Sequence, residues 1–126
     1  MHGILNDQSL IYLQIAQMLE DDILRGIYRE EEQVPSTNEL ARSYNINPAT
    51  AGKGINLLVA EGILYKKRGI GMFVAEGAVK TLRRARQTDF AQTQLHTVAR
   101  EAKSLGLTKQ QLIELVSAAA DREGLL

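Results

Sequence analysis

The chain contains no cysteine and no tryptophan, and only two prolines. Without cysteine there can be no disulfide, no thiolate nucleophile and no Cys-ligated zinc, a composition that suits a reducing cytoplasm. The aromatic residues are four Tyr and two Phe, too few for aromatic cages or for a platform that stacks several bases. Long apolar runs are missing too, so no segment is expected to span a bilayer. The start shows no basic stretch followed by an apolar one, so no secretory signal is expected. What remains is ordinary globular composition for 126 residues, 44% hydrophobic and 24% charged. That length supports one core with a small appendage and leaves little room for a large enclosed ligand cavity.

The formal net charge is zero, but the charges are unevenly placed. Residues 1–32 carry net −5, residues 33–76 net +2 and residues 77–126 net +3, while 42–86 alone carries +7. Asymmetry of this kind predicts one positive face, and a polyanionic partner remains open despite the zero total. Enzymatic chemistry finds little support. His2 and His96 lack metal-ligand spacing to any partner. Asp21-Asp22 and Glu30-Glu31-Glu32 read as solvated acidic runs. No Ser-His-Asp pattern or phosphate-binding glycine loop is visible. No catalytic residue, metal or cofactor is expected.

Periodicity divides the chain. Residues 9–25 read as a helix, with Ser9 as N-cap, Gly26 just past its end, and an apolar stripe of Tyr12, Ile15, Ala16, Leu19 and Ile23. Residues 27–34 read as a connection. Ser36-Thr37-Asn38-Glu39 is a capping box that opens a short helix ending near Tyr44-Asn45. Asn47-Pro48 opens a third helix, with Ile55, Leu58 and Val59 as its stripe and Gly62 at its end. Two helices joined by so short a turn make a helix-turn-helix. Residues 63–67 then read as a strand, Arg68-Gly69-Ile70-Gly71 as a turn and residues 72–75 as the returning strand. A hairpin directly after a helix-turn-helix is the order of a winged helix. Residues 78–105 read as one long helix, on which Ala91, Leu95, Val98, Ala102 and Leu105 form a pairing seam. Gly106 stops it. A second capping box, Thr108 to Gln111, opens a last helix reaching about Ala120.

Several stretches together resemble the GntR family of bacterial transcription regulators. They are Tyr12-Leu13-Gln14-Ile15, Val34-Pro35-Ser36, Glu39-Leu40-Ala41, Asn47-Pro48-Ala49-Thr50, Glu61-Gly62-Ile63-Leu64 and Arg68 through Val74. The resemblance covers about residues 9–76, and the short helical tail, with Glu101 to Leu107 its most family-like stretch, is similar to the YtrA-type branch. It implies a dimeric winged-helix repressor. Many members carry Arg where Asn38, Pro48 and Gly52 stand here.

Read from the residues, the third helix is the element that would enter the major groove of double-stranded DNA, carrying Asn47, Ala49, Thr50 and Lys53. Asn47 either caps the helix or contacts DNA. Thr50 offers a hydroxyl to phosphate and a methyl to thymine. Gly52 and Gly54 disfavour the helix by about 1 kcal/mol each against Ala and would permit close backbone approach to DNA. Lys66, Lys67 and Arg68, beside Gly69, suit a wing lying along a phosphate backbone. Ser36 and Thr37 can also bond phosphates, although capping explains Ser36 by itself, and Asn38 is a further candidate for DNA contact. Lys80, Arg83, Arg84 and Arg86 stand open between DNA flanks and solvent. Leu95, Val98, Ala102, Leu105, Leu112, Ile113 and Val116 are expected to make a homodimer.

The expected architecture is therefore mainly α with a small β-hairpin. A winged helix-turn-helix over residues 1–76 is followed by a two-helix dimerisation tail over 77–126. The expected function is a cytoplasmic, sequence-specific DNA-binding regulator, a repressor on a palindromic operator. Two alternatives stand beside it. One is a regulator responding to a small-molecule effector at the tail interface; the other is a protein-interaction module on a winged-helix scaffold.

Overall fold

The computed structural model describes residues 10–126. The expected N-cap Ser9 and His2 lie outside them. The first helix, α1 (Ile11–Leu24), starts after Leu10, whose side chain makes no capping bond. It ends as expected at Gly26, whose φ of +80° places it in the left-handed region. There the Gly26 N–H donates to the Ile23 carbonyl and the Ile27 N–H to the Asp22 carbonyl, closing the helix with a Schellman motif.

The second helix, α2 (Thr37–Tyr44), carries its capping box in full. The Glu39 N–H donates to Ser36 Oγ at 3.1 Å, and the Ser36 N–H returns to Glu39 Oε1 at 3.0 Å. Those bonds from Ser36 hold the Glu39 carboxyl below its ordinary value of 4.5. The third helix, α3 (Pro48–Ala60), has Asn47 as N-cap and proline in its first turn. The hairpin pairs β1 (Leu64–Lys67) with β2 (Gly71–Val74), Leu64 opposite Val74 and Lys67 opposite Gly71. The returning strand thus begins one residue earlier than its sequence pattern suggests.

Residues 27–34 are more than a connection. Gln33 bridges to Phe73 across the free edge of β2. The Glu31 N–H donates to the Val74 carbonyl at 2.8 Å and the Val34 N–H to the Met72 carbonyl at 2.9 Å. A lone hairpin is marginal in water, and this third backbone segment gives it a partner. Nor is the acidic run simply solvated. Glu30 accepts from the Gly77 and Val79 N–H groups at 2.8 and 3.1 Å, Glu31 accepts from the Tyr65 hydroxyl, and Glu32 accepts from the Arg29 N–H at 2.7 Å. Glu30 therefore caps the next helix, α4 (Ala78–Asp89), from far away in sequence.

The buried cluster unites Ile15, Leu19 and Ile23 of α1 with Leu40 of α2 and Ala51, Ile55 and Leu58 of α3. Ile63, Leu64 and Val74 join it, as do Ala78 and Leu82 of α4. No polar or charged residue among those described is buried. The chain forms two compact units, one extending through Arg84 and one from Ala85 to Leu126.

The expected single helix over 78–105 is interrupted. After α4 comes a π-helical turn at Phe90–Gln94, and only then α5 (Leu95–Ser104). Two threonines bracket the change. Thr93 Oγ1 donates to Asp89 Oδ1 at 3.2 Å, and Thr97 Oγ1 donates to the Thr93 carbonyl at 3.0 Å. Hydroxyls that bond back into the ladder compete with regular α-helix, which local periodicity does not register. Ala91 lies inside the wider turn and so falls out of the seam it was expected to share with Leu95. The second capping box forms as expected, with the Gln111 N–H donating to Thr108 Oγ1 at 3.1 Å, and opens α6 (Lys109–Arg122).

The two glycines of α3 differ. A Cβ at Gly54 would stand 2.8 Å from the Tyr12 carbonyl oxygen and 3.0 Å from Ile15 Cγ2. At Gly52 the nearest atom would be Thr37 Cγ2 at an ordinary 3.6 Å. Gly54 is buried against α1, so its bare backbone serves the α1–α3 crossing rather than an approach to DNA. Gly52→Ala should then stabilise by up to about 1 kcal/mol through helix propensity. Gly54→Ala should destabilise by about 1–3 kcal/mol, because a carbonyl oxygen cannot yield as a side chain can. Denaturant unfolding of both variants checks the opposite signs.

The α2 cap has a pH signature. Glu39 is lowered in the folded state, so its contribution is complete above pH 4.5 and fades as pH falls through its folded value. Glu39→Gln should be less stable than the parent at neutral pH and converge with it in acid. Thermal midpoints across pH 3–7 would show the convergence.

Candidate nucleic-acid interface

Polar side chains collect where α2, α3 and the hairpin meet. A groove of about 320 Å³ is lined by Ser36, Thr37 and Asn38 at the start of α2, by Asn56 of α3, and by Lys66 and Gly71 of the hairpin. Gln33 and the apolar Ile55, Ile70 and Met72 also line it. Ser36 and Asn38 are exposed and Thr37 half-buried. Ser36 Oγ is occupied by its cap, so its remaining capacity is as a hydroxyl donor.

The start of α3 is exposed at Asn47, Pro48 and Ala49, with Thr50 half-buried. Asn47 Oδ1 accepts the Ala49 N–H at 2.8 Å, so the capping role is occupied and its amide NH₂ is left for other partners. Lys53 extends back over α1, with Nζ 4.3 Å from the centre of the Tyr12 ring. A cation over an aromatic face at an exposed site gains about 0.5–1 kcal/mol, enough to bias where the ammonium rests.

Strand alternation separates the basic triplet. Lys66 lines the groove, while Lys67 places Nζ 4.2 Å from the Phe73 ring centre and 5.9 Å from that of Tyr65. Neighbouring residues on a strand point to opposite faces, so the two lysines cannot share one. Arg68 and Gly69 occupy the exposed turn, where Gly69 has a φ of +75°. The Tyr65 hydroxyl donates to Glu31, and that bond to a carboxylate is the main reason its phenol is raised above 10.0.

The structure thus brings Ser36, Thr37, Asn38 and Lys66 around one groove. Asn47, Ala49, Thr50 and Lys53 lie along α3 outside its lining, and Lys67 faces the aromatic side of the hairpin. Two further residues belong to the groove. Asn56 follows Ala49 and Lys53 at helical spacing, which is the signal that could have revealed it. Gln33 carries no local signal.

A second crease, about 350 Å³ between α1 and α2, is lined by Met18, Asp22, Tyr28, Pro35, Ser43 and Tyr44 among others. It holds no lysine or arginine. Both phenols are raised there, first by burial and then by the charge of Asp22.

In the second unit, α5 and α6 leave apolar side chains outward. Val98 is 44% and Leu105 69% exposed, and Leu95, Ile113, Leu115 and Val116 are exposed as well. Leu112 is half-buried and Ala102 buried. Lys80 and Arg83 are exposed, whereas Arg84 and Arg86 engage neighbouring groups. Among the described residues no cluster of His, Cys, Asp or Glu could hold a metal ion, and no helix is long and apolar enough to cross a membrane.

This arrangement has known counterparts. The family model for bacterial regulatory proteins of the gntR family matches residues 11–74, the stretch from α1 through β2. The chain is 33% identical over 106 residues to the HTH-type transcriptional repressor YtrA of Bacillus subtilis, covering 84% of this chain and 81% of that protein. A transcriptional regulator of the GntR family from Bacteroides thetaiotaomicron superposes with a TM-score of 0.73 at 34% identity, over 90% of this chain and 98% of that one. The DNA-binding domain of AraR, solved in complex with an operator, gives a TM-score of 0.51 at 32% identity, over 60% of this chain and 92% of that one. The chain spans 30% of the length of the first curated relatives it matches, among them the probable fructoselysine utilization operon transcriptional repressor of Escherichia coli. The matched residues are the same ones that build the helix-turn-helix and its β-hairpin wing, and the chain belongs to the GntR family of bacterial regulatory proteins, a class of transcriptional regulators rather than enzymes.

Proposed function

We propose that this protein is a cytoplasmic, sequence-specific transcription repressor that binds double-stranded DNA as a homodimer. The observation that carries the reading is the single groove shared by the start of α2, α3 and the wing, with Ser36, Thr37, Asn38 and Lys66 around it. Hydroxyls, an amide and one ammonium at that spacing suit a phosphate row, while the exposed first turn of α3 suits base edges. The likeness of this half to an AraR domain bound to an operator supports the same partner.

In this reading Asn47, Ala49 and Thr50 read sequence, with Lys53 held by Tyr12 near a backbone phosphate. Lys66, Arg68 and Gly69 follow the DNA backbone from the wing. Lys67 contributes less, because its ammonium rests on Phe73. The dividing line between the DNA-binding part and the tail falls within α4, since Ala78 and Leu82 complete the winged-helix core.

The tail supplies the dimer. Its exposed Leu95, Val98, Leu105, Ile113 and Val116 form the apolar surface that a two-fold partner would cover with the same patch. Two-fold symmetry would set two α3 helices about 34 Å apart, one turn of DNA, and couple two modest half-site affinities.

Two outcomes test this. Lys66→Ala should lower the slope of log affinity against log salt by about one, whereas Lys67→Ala should leave it nearly unchanged. Equal effects from the two would remove the groove from the DNA interface. Val98→Asp with Val116→Asp alters only exposed positions, so the protomer should stay folded by circular dichroism. Sedimentation should show the parent dimer becoming monomer, with operator affinity falling at least about tenfold. A monomeric parent would overturn the dimer.

A further inference from the structure

We propose that Gln33 is a positioning residue that sets the pose of the wing against the start of α2, and that DNA binding depends on this latch. The inference rests on the DNA-binding reading above.

Gln33 lies in the extended segment that pairs with β2, just before the Val34-Pro35-Ser36 entry to α2. Its side chain leaves that segment and crosses the hairpin. Nε2 donates to the Ile70 carbonyl at 3.0 Å, joining positions 37 residues apart. Ile70 belongs to the wing turn, where its own N–H donates to the Lys67 carbonyl at 2.9 Å. The β1–β2 ladder ends at the Lys67–Gly71 pair, so the tip beyond it has no further cross-strand register. The Gln33 amide fixes that tip from outside the hairpin.

Gly71 fits this arrangement. A Cβ there would collide with Gln33 Nε2, and its φ of +148° is one that residues with a side chain rarely adopt. The bare backbone lets the amide pass over β2 to reach Ile70. The same groove includes Lys66, Ser36 and Thr37, so the latch spans the two walls that would straddle one phosphate row. Without it, Arg68 would sit on a hairpin tip free to swing, and its phosphate contact would no longer be held in place. Gln33 is itself exposed and lies outside the buried cluster, so its removal should leave the core intact.

The test uses the full chain with Gln33→Ala and with Gln33→Met, which keeps a similar length without adding a charge but loses the donor. Amide hydrogen exchange of the free protein reads the latch directly. Exchange at Gly69, Ile70 and Gly71 should quicken in both variants, with an unchanged thermal midpoint. Titration of a mixed-sequence DNA duplex at several salt concentrations reads the consequence: the salt slope should fall by about one in each variant. A purely structural role would not move that slope at constant thermal midpoint.

Unchanged exchange in both variants, with DNA binding intact, would overturn the latch. Quickened exchange with an unchanged salt slope would leave Gln33 as a local tie and overturn its role in binding. If the parent shows no salt-dependent DNA binding, the DNA reading fails and the proposed role falls with it. The exchange data would still report whether the bond holds the tip.

Discussion

The close crossing of α1 and α3 is the constraint on which the rest of the first compact unit depends. At Gly54 the backbone of α3 lies where a single methyl group would strike the Tyr12 carbonyl and the side chain of Ile15. That approach lets Ile15, Leu19 and Ile23 interlock with Ala51, Ile55 and Leu58, all buried. Within this unit the other elements lean on this pair: α2 through Leu40, the hairpin through Leu64 and Val74, the start of α4 through Ala78 and Leu82. With one face of α3 committed to α1, its other face is turned outward, and Ala49, Lys53 and Asn56 lie along it. Exposure of this second face is thus a by-product of how tightly the opposite face is packed.

Around that core, polar groups act mainly as ties between distant segments. Glu30 reaches the start of α4, Glu31 reaches Tyr65, and Gln33 reaches Ile70. All three leave the short stretch between α1 and α2. This stretch passes for a loop, yet it braces the wing on one side and the next helix on the other. Carboxylates are placed at helix starts and phenols, where they accept hydrogen bonds, and away from the groove that holds Lys66.

Where the sequence was informative, it was so for local reasons. The capping boxes at Ser36 and Thr108, the Asn47-Pro48 start and the helix ends at Gly26, Gly62 and Gly106 each involve backbone groups a few residues apart, so the residue types themselves signal them. The hairpin and its order after α3 followed from the same kind of evidence. Other features depend on chain segments meeting. Nothing local distinguishes Gly54 from Gly52, and only the approach of α1 does. Alternation implies that Lys66 and Lys67 face opposite ways, but which of them faces the groove is set by the pairing with β2. The π-helical turn at Phe90–Gln94 coincides with hydroxyl bonds of Thr93 and Thr97, of which a periodicity template takes no account. The tie from Gln33 to Ile70 crosses too much sequence for any motif to mark it.

Position 31 sets backbone ease against side-chain use. Glu31 has a φ of +72°, and Asn45, at a helix end, is the other residue besides glycine with positive φ among those described. A non-glycine residue gives up about 1–2 kcal/mol in that conformation, which glycine would not. Yet glycine could not accept the Tyr65 hydroxyl on the aromatic side of the hairpin. A substitution that relaxed the main chain at this corner would therefore loosen the aromatic side of the wing. At this position conformational propensity and useful chemistry favour different residues, and the strained residue is the one that braces the hairpin.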